Sequence, residues 1–197
     1  MTKSSLYFID HVKSECRDYG VVCDLRNTSY VIVSDNIKAS GYFDEEVPAL
    51  VCSMKKSIAI EILAHEFGHF TQWRDQTELW INANKSVGFV DSWLAGEEVD
   101  NIATHMARVR DMELDNEKRT VKLIKKFSLP IDIAAYTRKA NTYIQFYNYL
   151  LTSRKWSSPL NTPYNNHVLV NAMPSKFSMN YQKLAKKYEK LFIEQGL

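Results

Sequence analysis

The sequence predicts an α+β fold: a small mixed sheet packed on one buried helix, followed by a mostly helical C-terminal half. Three observations predict it. Short strand signals crowd into residues 21–53. One uninterrupted helical pattern, 57–75, follows them. Beyond residue 95, apolar residues recur at helical spacing along long stretches of chain.

The helix over 57–75 is the element on which the rest is organised. Ile58, Ile60, Ile62 and Leu63, then Phe67, Phe70 and Trp73, make it apolar around more than half its circumference, as in a mostly buried helix. Inside it lies His65-Glu66-Phe67-Gly68-His69. Histidines four apart stand one turn apart on one face, and that spacing lets both imidazoles bind one tetrahedral Zn²⁺. Glu66 points beside such a metal. There it can take a proton from a bound water, whose pKa zinc lowers from about 15.7 to about 7. A buried helix must satisfy these groups, because unpaired buried polar groups are costly. The plainer alternative is a core helix whose histidines bond to neighbouring backbone.

At 197 residues, one domain is expected, a core over 1–130 with a helical extension over 131–197 packed on it. Hydrophobic residues are 45% and charged residues 24%, within the range of soluble globular proteins. A net charge of +2 is too small to argue for nucleic acid or an anionic membrane. No apolar run approaches the ~20 residues of a membrane span. The N-terminus leads into an amphipathic pattern rather than a signal peptide. Cys16, Cys23 and Cys52 are an odd count without metal-knuckle spacing, which points to reduced thiols in a cytoplasmic protein.

Taken in order, Leu6, Ile9, Val12, Cys16 and Tyr19 recur at helical spacing until Gly20, predicting a first helix over 4–19. Residues 21–25 and 30–34 read as strands about an Asn27-Thr28-Ser29 turn. Ser40-Gly41-Tyr42-Phe43-Asp44 and Ala49–Ser53 read as two more. Between 76 and 96 the pattern breaks. Trp80, Phe89 and Trp93 are scattered among polar residues and glycines, predicting a connecting segment with room for a short helix at 77–84.

From 95 to 127 runs one long helical pattern, stopped before Pro130. Its stripe is Val99, Ile102, Met106, Val109, Thr120, Ile124 and Phe127. At about 100° per residue, Glu113 falls at the centre of that stripe, Glu117 one turn on, and Asp115 on the opposite face. A carboxylate on a core-facing stripe needs a cation or a hydrogen-bonding partner. A zinc site short of one ligand supplies that need, and so does a buried Arg or Lys. After Pro130, Tyr136, Ala140, Tyr143, Tyr147 and Leu150 predict a helix over 131–152. Residues 154–170 read as irregular. A last helix, capped by Ser175, turns Phe177, Tyr181, Leu184, Tyr188 and Leu191 inward and four lysines outward. His11 and His105 read as helix-surface residues without a site role.

The pentapeptide His65–His69 resembles that of the zincin metallopeptidases, and Gly68 before the second histidine resembles the small ImmA/IrrE-like branch of the gluzincins. The hairpin Gly41-Tyr42-Phe43…Leu50-Val51-Cys52 and the helix ending Phe127-Ser128-Leu129-Pro130 are similar to that group. Glu113-Leu114-Asp115-Asn116-Glu117 is similar to the gluzincin third-ligand motif, a Glu followed four residues later by Asp or Asn; here the later residue is Glu. The resemblance covers about 41–130, discontinuously.

It implies a zincin-type sheet in a zincin-like core, and a cytoplasmic zinc-dependent endopeptidase. His65, His69 and Glu113 are then the ligands, Glu66 the general base, and Glu117 the acid that orients a zinc-bound histidine. A downstream Tyr164 or His167 would hold the oxyanion. A protein or peptide substrate would lie extended along a sheet edge, with Gly41–Asp44 the candidate edge. The rival from another class is a zincin-fold zinc-binding regulatory or interaction protein that does not cleave. Glu66 stands against it, since a structural site has no use for a base and favours a fourth protein ligand.

Overall fold

The computed structural model describes residues 1–33 and 37–197. The described chain is α+β, as its pattern predicts, with seven helices and five strands. It divides into two units: Met1–Thr77 with Asn116–Ile131, and Glu78–Asp115 with Asp132–Leu197.

In unit 1, helix α1 (Lys3–Asp18) starts where the Thr2 hydroxyl accepts from the Ser5 N–H at 3.2 Å, satisfying one first-turn donor. Its buried face is Ser5, Phe8, Ile9, Val12 and Cys16. Leu6 was expected in that stripe but is exposed, because it lies about 100° round the helix from Ser5. Strands β1 (Val22–Arg26), β5 (Ala49–Ser53) and β4 (Gly41–Asp44) form a sheet in the order β1-β5-β4, with β1 parallel and β4 antiparallel to β5. Central β5 buries Leu50, Val51, Cys52 and Ser53 in one run, as a strand covered on both faces does. A second, two-stranded ladder joins β2 (Val31–Ile32) to β3 (Lys38–Ala39). The strand expected over 30–34 is thus shorter, and its last residue, Ser34, lies outside the described residues.

Helix α2 (Ala59–Arg74) packs on β4 and β5. Phe67 stacks on Phe70 at 5.2 Å and meets Phe8 edge-on at 5.9 Å. From Asn116 onward, helix α4 (Ile102–Lys126) also belongs to this unit. It buries Thr120, Val121 and Ile124. The helix ends with Ser128 left-handed at φ 50° and the Leu129 N–H on Ile124 O at 3.0 Å, a Schellman-type closure just before Pro130.

Unit 2 corrects four expectations. The stretch after residue 76 is not a connecting loop but a long helix, α3 (Glu78–Leu94), burying Trp80, Ala83, Ser86, Val90 and Trp93 at helical spacing. The stripe was hidden by Ser86, which fits the core because its hydroxyl donates to Asn82 O at 3.0 Å. Gly88, read as a break, faces open space. Helix α4 begins at Ile102 rather than 95, because Gly96 (φ 108°) and Asn101 (φ 54°) are left-handed.

Helix α5 (Ile133–Ser153) is capped by Asp132, whose Oδ1 accepts from Ala134 and Ala135 N–H at 2.8 and 3.1 Å. A short α6 (His167–Ala172) lies at the end of the stretch read as irregular. The last helix, α7 (Lys186–Glu194), starts eleven residues after the expected Ser175 cap. Side chains of α5 take the intervening backbone: Asn141 donates to Pro174 O and Lys176 O, Gln145 to Asn180 O, and Asn148 to Tyr181 O, all at 2.8–3.0 Å. Carbonyls held this way are diverted from a helix. The core of the unit gathers Val90, Trp93, Met106, Phe146, Leu150 and Phe192. No helix among the described residues is long and apolar enough to cross a membrane.

Candidate metal centre

Helix α2 carries His65, Glu66 and His69, and the two histidine rings meet edge-on with centroids 4.9 Å apart. Glu113, 8% exposed, lies three residues before Asn116 on unbroken α4. One ligand atom each from His65, His69 and Glu113 fall within 4.8 Å of one another, and among the described residues this is the one such group of three or more His, Cys, Asp or Glu. Two imidazole nitrogens and a carboxylate oxygen are a donor set that fits a borderline-soft ion such as zinc with a fourth position left over.

Neighbours orient both rings. Glu117, fully buried, brings Oε1 to 3.5 Å from His65 Nδ1, within ion-pair reach but beyond a strong hydrogen bond. The Gln72 Oε1 stands 3.0 Å from His69 Nδ1. A carboxamide oxygen can only accept, so this contact puts the His69 proton on Nδ1 and leaves Nε2 as a lone pair. Asn116 Nδ2 is 3.3 Å from both ring nitrogens of His65 and 3.2 Å from its carbonyl. Equal approach to both nitrogens places the amide over the ring face rather than in its plane. Asp115, expected to face solvent, is half-buried.

Two glycines show how tightly this is assembled. A Cβ on Gly68 would overlap Asn116 Oδ1 and come within 3.4 Å of Thr120 Oγ1. Glycine at this position therefore lets α4 lie against α2, where Thr120 Oγ1 donates to Asn116 O at 3.0 Å. A Cβ on Gly41 of β4 would stand 2.9 Å from Cys52 Sγ and 3.0 Å from Glu66 Cγ. So the Glu66 side chain runs directly beneath the first residue of β4. That strand ends the three-stranded sheet, as the candidate substrate edge requires. The Cys52 thiol is pushed up by burial and, next, by the Glu66 carboxylate.

Tyr164 and His167 belong to unit 2. The Tyr164 ring stacks on Tyr143 with centroids 4.5 Å apart, and His167 is the exposed first residue of α6. Sequence reasoning gave no role to Gln72 or Asn116. Each carries a faint signal, since Gln72 lies three residues beyond His69 and Asn116 three beyond Glu113.

Comparison with known proteins found no matching family model, no matching curated protein and no matching solved structure.

Proposed function

We propose that this chain is a zinc-dependent endopeptidase of the gluzincin kind. One observation carries the reading: His65 and His69 of α2 converge with Glu113 of α4 within 4.8 Å, and Glu66, between the histidines, lies under the sheet edge. His65, His69 and Glu113 would hold the ion. Zinc, when bound, supplies a Lewis acid that polarises a carbonyl and brings the pKa of water to about 7. Glu66, outside the ligand group, is left to act as a base. It accepts a proton from the attacking water and returns it to the departing amine. Glu117 and Gln72 hold the imidazoles by Nδ1, which would leave each Nε2 to serve as the ligand atom. The open edge of β4 receives the peptide in extended form. Tyr164 or His167 serves as oxyanion donor. The free thiols of Cys16, Cys23 and Cys52 support a reducing, cytoplasmic setting.

The test pairs metal analysis with digestion of an unfolded protein. Wild type is expected to hold about one zinc and to cleave. Glu66→Gln is expected to keep the zinc while cleavage falls by about 10²–10⁴-fold. A wild type that binds zinc and a protein partner but cuts nothing across a broad panel would establish the non-cleaving rival instead.

A further inference from the structure

The backbone of β4 sets a register for anything added to it. The Ser53 N–H donates to Ser40 O at 2.9 Å, and these two residues continue the β4–β5 pairing by one step beyond Gly41 and Cys52. Bonded and non-bonded pairs alternate along an antiparallel ladder. Tyr42 and Asp44 therefore direct their N–H and C=O groups to β5, and Gly41 and Phe43 turn theirs to the open side. An extended peptide laid along that side pairs with Gly41 and Phe43.

Directly opposite residues of paired strands place their side chains on the same face. For Gly41 that face is the α2 face, since a Cβ there would meet Glu66 and Ile62. Phe43, two residues on, shares it. Its ring lies 5.6 Å from Trp73 and 6.0 Å from Phe70. Phe70 is fully buried, whereas Phe43 and Trp73 are half-buried and form the rim of that aromatic core. Trp73 stands one turn beyond His69 on α2, about 6 Å along the axis.

The charged residues next in sequence to Phe43 and Trp73 are engaged. Asp44 Oδ1 accepts from Glu46 and Val47 N–H at 2.9 and 3.2 Å, and Arg74 is paired with Glu15 at 2.7 Å and Asp75 at 2.8 Å. Phe43 and Trp73 themselves offer half-buried apolar surface at the rim.

We infer that Phe43 and Trp73 are the specificity shelf of this site, selecting peptides with an aromatic or large aliphatic side chain two residues from the one opposite Gly41. The inference rests on the peptidase reading and names its substrate class. The residue opposite Gly41 lies over Glu66, so the selected side chain sits two residues to one side of the scissile bond.

The test uses a matched set of ten-residue fluorogenic peptides carrying Phe, Leu, Asp or Lys at each position around the cut. Zinc-loaded wild type is expected to favour Phe and Leu over Asp and Lys by about tenfold in kcat/KM at one position two residues from the bond. Trp73→Ala is expected to flatten that preference and Trp73→Phe to keep it. The same peptides are titrated against Glu66→Gln protein, where a Phe peptide should bind about tenfold tighter than its Asp counterpart. Cleavage without this preference, or a preference unchanged in Trp73→Ala, overturns the shelf and leaves the peptidase standing. Absent cleavage sinks the peptidase reading, and the Glu66→Gln titration then decides the shelf alone: equal affinity for Phe and Asp peptides overturns it.

Discussion

Unit 2 buries Arg110, Asn141, Gln145 and Asn148; unit 1 buries His69, Gln72, Asn116 and Glu117. In unit 2, Arg110 reaches Asp111 with two nitrogens at 2.8 and 2.9 Å, Asn148 Oδ1 at 2.8 Å and Gln182 Oε1 at 3.0 Å. The three amides bind backbone carbonyls, and Asn141 Oδ1 accepts from Tyr181 at 2.7 Å. Burial pushes that tyrosine up to about 12. Donors and acceptors match, and the cluster pins a non-helical segment to α5. In unit 1, Gln72, Glu117 and Asn116 hold imidazoles, and Asn116 Oδ1 has no hydrogen-bond partner among the described residues. The first cluster closes on its own backbone. The second orients side chains whose remaining donors converge with Glu113. Cost follows from this difference: removing a partner from a closed cluster orphans a buried group, at about 1–3 kcal/mol each.

The comparison breaks most clearly at two residues about one turn apart on α4. Glu113→Ala should lower zinc affinity by more than the roughly 10–100-fold typical of an outer partner and abolish cleavage, with little change in the melting temperature of the metal-free protein. Arg110→Ala should do the reverse, lowering stability by about 2–3 kcal/mol and leaving zinc affinity unchanged below the melting transition. Chelator titration and denaturant unfolding of both variants read the two effects. Zinc loss in Arg110→Ala together with retention in Glu113→Ala would invert the assignment.

Gly68→Ala tests how α4 is held against α2. The added methyl meets Asn116 Oδ1, and overpacking of this kind costs about 1–3 kcal/mol. Zinc affinity should fall with it, because Asn116 is displaced from His65. Gly88→Ala, facing open space in unit 2, should be slightly stabilising. Comparing their urea midpoints decides the point; equal shifts would dismiss the close approach at Gly68.

The smallest effects sharpen the roles of the orienting residues. Glu117→Ala and Gln72→Ala should each weaken zinc by about 10–100-fold while the fold persists. Asp115→Ala should leave the metal alone. A ranking in which Asp115→Ala loses more zinc than Glu117→Ala would mean that α4 presents a different phase to α2.

His65, Glu66, His69 and the phase of Glu113 were legible in the sequence because each depends on one helix and its 3.6-residue period. The class of the fold was legible for the same reason, with strand signals in 21–53 and helical spacing elsewhere. Helix α3 was not, since a buried serine looks polar until its hydroxyl is seen on Asn82 O. The delayed start of α7 was not, since amides one helix away take its preceding carbonyls. Gly68 could be matched by resemblance, but its reason is a neighbour from residue 116. Gln72 and Asn116 became partners of the histidines only through side-chain directions and helix packing. The open side of β4 depends on the order β1-β5-β4, which pairs strands distant in sequence. Local periodicity is written into consecutive residues. What a side chain meets across the core is set by chain that returns from elsewhere, and only the folded arrangement decides it.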